Sequence, residues 1–229
     1  MSHVLKDVIK NFSIDCVVFG FEKSRLEVLL TKRAVHPSKG MWALPGGFIK
    51  KQELVDHATD RILHTITGVK NIYLEEVAIF DEIDRFPSWR VFTIGYFALI
   101  SPEHYAVSAG MDSMAVRWFD LNKLPSLPFD HRFIIQTALD KLRTRVRYKP
   151  IGFELLPKKF TLPQLQRLYE VILHKHLDKR NFRKKLMTMG LVKKLNEKDP
   201  HNKRRAAYFY QFDRKQYTLL KKTGFMFEL

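Results

Sequence analysis

One stretch of the sequence, residues 47–69, constrains the fold more than any other. It reads GFIKKQELVDHATDRILHTITGV and follows Trp42-Ala43-Leu44-Pro45-Gly46. The paired glycines at its start permit backbone angles that a Cβ would obstruct, which indicates a tight turn. From Gln52 to Ile66 the pattern predicts a helix, because apolar and small residues recur at helical spacing. The residues on its predicted packed face are Leu54, Ala58, Ile62 and Thr65.

The same stretch resembles the signature of the Nudix family, in which Gly, five residues, Glu and seven residues precede Arg-Glu-apolar-x-Glu-Glu-x-Gly-apolar. The matching residues are Gly47, Glu53, Arg61, Leu63, Gly68 and Val69. Ile62, Thr65 and Ile66 replace the three carboxylates after the arginine. In Nudix hydrolases these glutamates hold divalent metals against a diphosphate, and Mg²⁺ requires such hard oxygen ligands. The resemblance therefore implies the Nudix fold without its hydrolysis, with no catalytic residue, no metal site and no cofactor.

Length and composition bound the class of protein further. A chain of 229 residues with 45% hydrophobic residues suits one large or two small domains with a sizeable core. The single cysteine, Cys16, excludes an internal disulfide and fits a reducing compartment. The sequence has no run of about 18 apolar residues, and its polar amino-terminal segment lacks the apolar core of a signal peptide. We therefore expect a cytoplasmic, soluble protein without a membrane partner.

The positive charge is concentrated in the last third of the chain. Residues 1–149 contain 21 basic and 17 acidic side chains, a net charge of +4, whereas residues 150–229 contain 19 and 7, a net charge of +12. Such asymmetry favours a polyanionic partner for the carboxy-terminal part. A basic surface that serves only solubility is the alternative.

Apolar runs separated by turns predict the remaining elements of the first part. Strands are expected at residues 14–21, 26–33, 72–80, 91–100 and 116–119, and a closing helix at residues 130–145. The first two strands are expected to form a hairpin. Pro150 disfavours helix at the preceding residue, so we place the domain boundary between residues 149 and 150.

The carboxy-terminal part has its own pattern. Thr161 and Gln164 have the spacing of a capping box, and an apolar stripe follows it. Asp178 is suited to cap a second helix, which extends from Lys179 to Met189 and ends at Gly190. Two strands, 191–195 and 206–212, enclose a basic loop. A helix, a turn, a helix and a strand pair with a basic tip describe a winged helix.

In a winged helix the second helix is the element that enters the major groove. We expect Arg180, Asn181 and Arg183 to read bases, because arginine and asparagine pair with guanine and adenine edges. Lysines of the wing would bind phosphate. A basic, solvated helix without this role is the alternative. The predicted DNA-binding residues are Lys179, Arg180, Asn181, Arg183, Lys184, Lys203, Arg204 and Arg205.

Together the two parts resemble the Nudix-related transcriptional regulators of bacteria. That resemblance implies an α+β fold: a Nudix α/β/α sandwich (residues 1–149), followed by a C-terminal winged helix-turn-helix domain (residues 150–229). It also implies a homodimer on double-stranded operator DNA, acting as a repressor. Some members sense ADP-ribose-like metabolites and others sugars such as arabinose. The missing carboxylates weaken the case for a diphosphate and favour a sugar or sugar-derived effector. A nucleotide sugar whose diphosphate is bound by arginine and lysine is the alternative. The predicted ligand-binding residues are Arg33, Trp42, Phe48, Glu53, Asp84 and Arg90.

Two other functions are compatible with these patterns. A Nudix hydrolase of ADP-ribose-like nucleoside diphosphates would have to recruit other carboxylates, such as Glu53 with Asp56 or Glu76. A DNA-binding module with a purely structural Nudix half would bind DNA tightly and have an occluded cleft. Metal-dependent turnover distinguishes the hydrolase from the regulator.

Overall fold

The computed structural model describes residues 8–200 and 206–222, which form two compact units. The first unit contains residues 8–20 and 27–141, and the second contains residues 21–26 with the described residues from 142 onward. The division falls after Lys141, upstream of the predicted boundary between residues 149 and 150, which stays a prediction. None of the helices in these described ranges is long and apolar enough to cross a membrane.

A mixed sheet forms the centre of the first unit. Its strands, within the described ranges, are β1 (Val8–Glu22), β2 (Arg25–Arg33), β3 (Trp42–Ala43), β4 (Gly46–Lys50), β5 (Leu74–Phe80), β6 (Phe92–Ile100) and β7 (Ser113–Asp120). The order is β3-β2-β1-β6-β5, with β4 paired to β1 and β7 to β2. Strands β1 and β6 are parallel, and the register pairs Phe12 with Phe92. The predicted hairpin of β1 and β2 is confirmed, with Lys23 and Ser24 at positive φ in its turn.

Helix α1 (Val55–Thr67) and the first part of α2 (His131–Tyr148), as far as Lys141, complete the first unit. The inner side of α1 packs Ala58, Ile62 and Leu63 into a core with strand residues such as Ile14 and Cys16. Neighbouring β1 residues such as Val17 and Phe19, which point to the opposite face, are also fully buried. A sheet buried on both faces explains why β1 reads as a continuous apolar run. The predicted α/β/α sandwich is confirmed.

Two details of the predicted helices were wrong. Helix α1 begins at Val55 rather than Gln52, and Leu54 is 70% exposed instead of packed. The reason is that the Glu53 carboxylate accepts the Lys50 backbone N–H at 3.2 Å, which holds this segment in the preceding loop. In α2, the ring of Phe133 contacts that of Phe80 edge-on, and Phe133 is 58% exposed.

The second unit has the elements of a winged helix. They are β8 (Phe160–Thr161), α3 (Leu162–Leu173), α4 (Lys179–Met189), β9 (Val192–Lys198), β10 (Tyr208–Phe212) and α5 (Arg214–Lys222). The strands form an antiparallel sheet in the order β8-β10-β9. The two predicted helices and the strand pair are confirmed, whereas β8 and α5 were not predicted. Gly190 ends α4 in the left-handed region, as predicted.

The turn between α3 and α4 is held by one carboxylate. Glu170 accepts hydrogen bonds from the Leu177 backbone N–H at 3.0 Å, from Gln166 at 3.1 Å and from the His176 ring at 2.9 Å. Below the turn, the ring of Tyr169 lies 6.0 Å from that of Phe182. These contacts set the angle between the two helices, and therefore the direction in which α4 faces solvent.

The predicted capping box at the start of α3 is confirmed and generates a stability prediction. The Thr161 backbone N–H donates to Gln164 Oε1 at 2.7 Å, and the Gln164 backbone N–H donates to Thr161 Oγ1 at 3.3 Å. Thr161→Ala leaves the Gln164 backbone N–H without its side-chain acceptor, and we expect the free energy of unfolding to fall by about 1 kcal/mol. Urea unfolding measures the change. Thr188→Ala, at an exposed helix position, is the control; equal destabilisation by both would contradict the capping role.

Candidate functional site

The Nudix loop of the first unit is held by the two polar residues that its signature retains. Arg61 donates to both Glu53 oxygens at 2.6 and 2.7 Å, and to the Phe48 carbonyl at 3.1 Å. These hydrogen bonds lower the pKa of Glu53. Its carboxylate is therefore committed to shaping the loop between β4 and α1. Its predicted role in ligand binding stays a prediction.

The positions of the missing carboxylates are occupied by packing residues. Ile62 is 2% exposed and lies beneath Gly47, where a Cβ on the glycine would come within 3.4 Å of it. At the end of α1, Gly110 N–H donates to the Ile66 carbonyl at 3.2 Å and Ser108 N–H to the Thr67 carbonyl at 2.9 Å. The loop around residues 106–110 thus covers the helix end from which metal-binding glutamates would project. Across the described residues, no group of three His, Cys, Asp or Glu could hold a metal ion.

A buried ionic cluster lies beside the Nudix loop, and we name it the Arg85 cluster: Asp15, Arg85, Thr93, Asp130 and His131. Arg85 donates to both Asp130 oxygens at 2.9 and 2.7 Å and also contacts the Thr93 hydroxyl. Asp15 Oδ2 lies 3.7 Å from the same guanidinium. The cluster joins β1, β6, the loop between β5 and β6, and the start of α2. Because two carboxylates share one guanidinium, each partner is needed to offset the burial of the others.

Burial sets the protonation states in this cluster. Desolvation raises the pKa of Asp15 to about 7, against the lowering effect of Arg85. It lowers the pKa of His131 to about 3, so the imidazole is neutral at physiological pH. Accordingly, His131 Nδ1 accepts the Leu44 backbone N–H at 3.0 Å, and Nε2 lies 3.6 Å from Asp15 Oδ2. This cluster was not predicted from the sequence, although an aspartate inside an apolar strand is the signal that requires buried partners.

Aromatic rings adjoin the cluster, and we call Phe48, Phe86, Trp89 and Phe129 the aromatic wall. Trp89 lies 5.0 Å from Phe86 and 6.3 Å from Phe48, and Phe86 lies 5.3 Å from Phe129. The four side chains are half-buried. Arg33 places its guanidinium over Phe129 at 5.4 Å and donates to the Pro37 carbonyl at 2.9 Å. The wall thus offers flat apolar faces beside a cation.

The predicted ligand residues are distributed unevenly around this region. Phe48 belongs to the aromatic wall and Arg33 adjoins it, whereas Trp42 packs against Phe119 at 4.8 Å. Asp84 is exposed in the loop that Arg85 anchors. Arg90 lies over Phe92 at 4.9 Å, and its buried Nη1 finds no hydrogen-bond acceptor among the described residues. Arg85, Phe86, Trp89 and Phe129 are neighbours that the predicted set omitted.

The predicted DNA-binding helix of the second unit presents its charges to solvent. Asp178 caps α4 by accepting the Asn181 backbone N–H at 2.8 Å, and Phe182 and Leu186 face the core. The exposed set comprises Lys179, Arg180, Asn181, Arg183, Lys184 and Lys185. The predicted wing residues Lys203, Arg204 and Arg205 lie outside the described residues. In the wing strands, the ammonium groups of Lys194 and Lys198 lie 3.6 and 5.1 Å from the centre of the Tyr208 ring, an arrangement that was not predicted from the sequence.

Comparison with known proteins assigns the family. The NUDIX domain model matches residues 10–141, and the NrtR DNA-binding winged helix domain model matches residues 152–212. An Acinetobacter baylyi protein described as "ADPR responsive transcriptional repressor NtrR" is 34% identical over 211 residues, 90% of this chain and 83% of the relative. The chain belongs to the NrtR family of transcriptional regulators. The resemblance to Nudix-related regulators is thereby confirmed.

Solved structures of NrtR agree with this assignment. Shewanella oneidensis NrtR complexed with a 27mer DNA superposes with a TM-score of 0.76 at 28% identity, covering 90% of this chain and 95% of that chain. The NUDIX domain of the same protein complexed with ADP ribose gives a TM-score of 0.54 at 29% identity, covering 62% and 94%. The NrtR architecture therefore extends over both units of the chain.

The Arg85 cluster gives a prediction for the pH dependence of stability. The folded protein binds the Asp15 proton more tightly than the unfolded chain, since the pKa rises from 3.8 to about 7. The Asp15 contribution to the free energy of unfolding is therefore largest at low pH and is lost as pH rises towards 7. Asp15→Asn removes this loss, so that, relative to the unmutated protein, the variant gains roughly 2 kcal/mol between pH 5 and pH 8.

Urea unfolding at the two pH values measures this difference. The neutral His131 is present in both proteins, so its own pH dependence cancels. Asp56→Asn, which removes a carboxyl that lies in solvent, is the control. Parallel pH curves for the Asp15→Asn and unmutated proteins would contradict the burial of an ionisable Asp15.

Proposed function

We propose that this chain is a transcriptional repressor that binds operator DNA through α4 and the wing, and releases it when a nucleotide sugar of the ADP-ribose class occupies the first unit. One observation carries the proposal: an exposed basic recognition helix is joined to a Nudix loop whose metal carboxylates are replaced. The Acinetobacter relative named as ADPR-responsive and the Shewanella NrtR complexes with DNA and with ADP ribose support it.

The surroundings of the Nudix loop suit the chemistry of such an effector. An adenine ring stacks on aromatic faces, and the aromatic wall supplies them from Phe48 and Trp89. A diphosphate needs cations and hydrogen-bond donors, and Arg33, which lies over the ring of Phe129, would provide both. These groups favour a nucleotide sugar over a plain sugar, the two effector classes expected from the sequence.

Binding without hydrolysis follows from the same loop. Ile62, Thr65 and Ile66 offer no anionic side-chain oxygen to Mg²⁺, and the Glu53 carboxylate is held by Arg61. The alternative carboxylates, Asp56 and Glu76, lie at positions to which the Nudix signature assigns no metal ligand. We therefore propose that the first unit recognises its ligand and leaves the diphosphate intact.

Release of the operator requires that the effector bind two arrangements of the protein with different affinity. We propose a homodimer whose two α4 helices meet half-sites about one DNA turn apart, as helix-turn-helix dimers do. A ligand that favours an arrangement with another helix spacing lowers operator affinity. By linkage, the operator then weakens effector binding by the same factor.

The effector proposal predicts that ADP-ribose dissociates the protein from an operator duplex, which can be obtained by selection from random DNA. Fluorescence anisotropy follows the release, and arabinose in its place should leave the complex intact. Trp89→Ala removes one face of the aromatic wall, and we expect ADP-ribose binding to weaken about tenfold by calorimetry, because one stacked base contributes about 1–3 kcal/mol. Operator affinity without effector should not change.

Tyr73→Ala, which removes an 81% exposed ring from the same unit, is the matched control for that variant. The ADP-ribose should also be recovered intact after incubation with protein and Mg²⁺. Release by arabinose alone would contradict the choice of effector. Rapid Mg²⁺-dependent formation of AMP would instead favour the hydrolase function.

The DNA-binding proposal predicts unequal effects of two substitutions that each remove one positive charge. Arg180→Ala should weaken operator binding about 10- to 100-fold, because a bidentate arginine–guanine contact contributes about 1–3 kcal/mol. Lys70→Ala, an exposed lysine of the first unit, should have little effect. Anisotropy titrations between about 50 and 200 mM salt give both the affinity and its salt slope. Equal losses from the two variants would mean that α4 does not contact bases.

A further inference from the structure

Three large apolar or aromatic side chains are exposed on the described elements of the winged helix. Leu219 lies on α5, and the other two lie on elements predicted to face DNA. Met187 on α4 is 45% exposed and Tyr208 on β10 is 37% exposed. Tyr208 has an explanation within the fold, since the ammonium groups of Lys194 and Lys198 contact its ring. Met187 presents an apolar thioether on a helix whose other exposed residues are polar or charged.

The core contacts of α4 define which of its residues point outward together. Phe182 and Leu186 are buried, and each residue turns the helix by about 100°. One strip of the exposed surface of α4 carries four residues at the spacing i, i+3, i+4 and i+7: Arg180, Arg183, Lys184 and Met187, with Arg183 at the edge nearest the core. Homeodomains use the same spacing along their recognition helix to read the major groove.

Asn181, which was expected to read bases, lies to one side of this row, and its backbone N–H is bound by Asp178. The row thus places Met187 in line with two arginines and a lysine, two turns beyond Arg180. In the major groove, the apolar group that a side chain can contact is the C5 methyl of thymine. A flexible, polarizable methionine adapts well to such a contact.

We propose that Met187 is a specificity-determining residue that contacts the methyl group of a thymine in each operator half-site. The inference rests on the proposed DNA-binding function and adds a base preference to it. Seven residues of helix span about 10 Å, and base pairs are about 3.4 Å apart. The thymine therefore lies about three base pairs from the base that Arg180 contacts.

Replacing thymine by uracil tests the proposal, because it removes only the methyl group from the groove. The full chain is first used to select duplexes from a random library. Uracil then replaces each thymine of the selected half-site in turn, and affinities are measured by anisotropy. We expect one replacement to weaken binding about fourfold, the effect of removing one buried methyl group.

The Met187 variants connect that loss to the side chain. Met187→Gln keeps the length but not the apolar character, and should bind thymine and uracil duplexes equally. Met187→Leu keeps an apolar contact and should retain the discrimination. A role of Met187 in folding alone would change affinity for both duplexes by the same factor, and that result would overturn the proposal.

The outcomes separate this inference from the function on which it rests. If the chain selects a sequence but the uracil effect is unchanged in Met187→Gln, the thymine contact is wrong and the regulator function stands. If the chain selects no sequence at all, the DNA-binding function fails and the inference fails with it. If Met187→Gln loses the uracil effect and Met187→Leu keeps it, the thymine contact is supported.

Discussion

The buried pair of Arg85 and Asp130 is the interaction on which the first unit depends. Its two hydrogen bonds join residues 45 positions apart, and the same guanidinium contacts the Thr93 hydroxyl and lies near Asp15. Burying these charges is costly, and only their mutual contacts offset the cost. Because each partner belongs to a different element, the cluster fixes the loop that carries Phe86 and Trp89 against β1, β6 and α2. The part of the predicted effector surface formed by Phe86 and Trp89 is therefore held in place by buried ion pairs.

The Nudix loop keeps the polar pair of its signature and carries Ile62, Thr65 and Ile66 where the signature has carboxylates. The retained Glu53 and Arg61 hold the loop through a bidentate pair, which a recognition surface still needs. The lost carboxylates are replaced by residues such as Ile62, which packs beneath Gly47. A glutamate at position 62 would place a charge where Ile62 is now buried, which is costly.

Prediction from the sequence succeeded where the signals are local. The capping box at Thr161, the cap at Asp178 and the stop at Gly190 depend on neighbours within a few residues, and all three were confirmed. It failed at Leu54 because periodicity does not show where a loop ends and a helix begins. The two-residue strands β3 and β8 are too short for any pattern, and they exist through pairing with distant strands.

The sequence by itself determined the two-part organisation, the family and the concentration of charge in the last third. It also showed that Ile62, Thr65 and Ile66 stand where the Nudix signature has carboxylates. Each of these features follows from residue identity and spacing. Tertiary structure decided which distant residues meet. Only folding brings Arg85 to Asp15 and Asp130, which lie on other elements. The reason is that spacing along a chain specifies local geometry, whereas contacts between elements depend on packing that no single segment encodes.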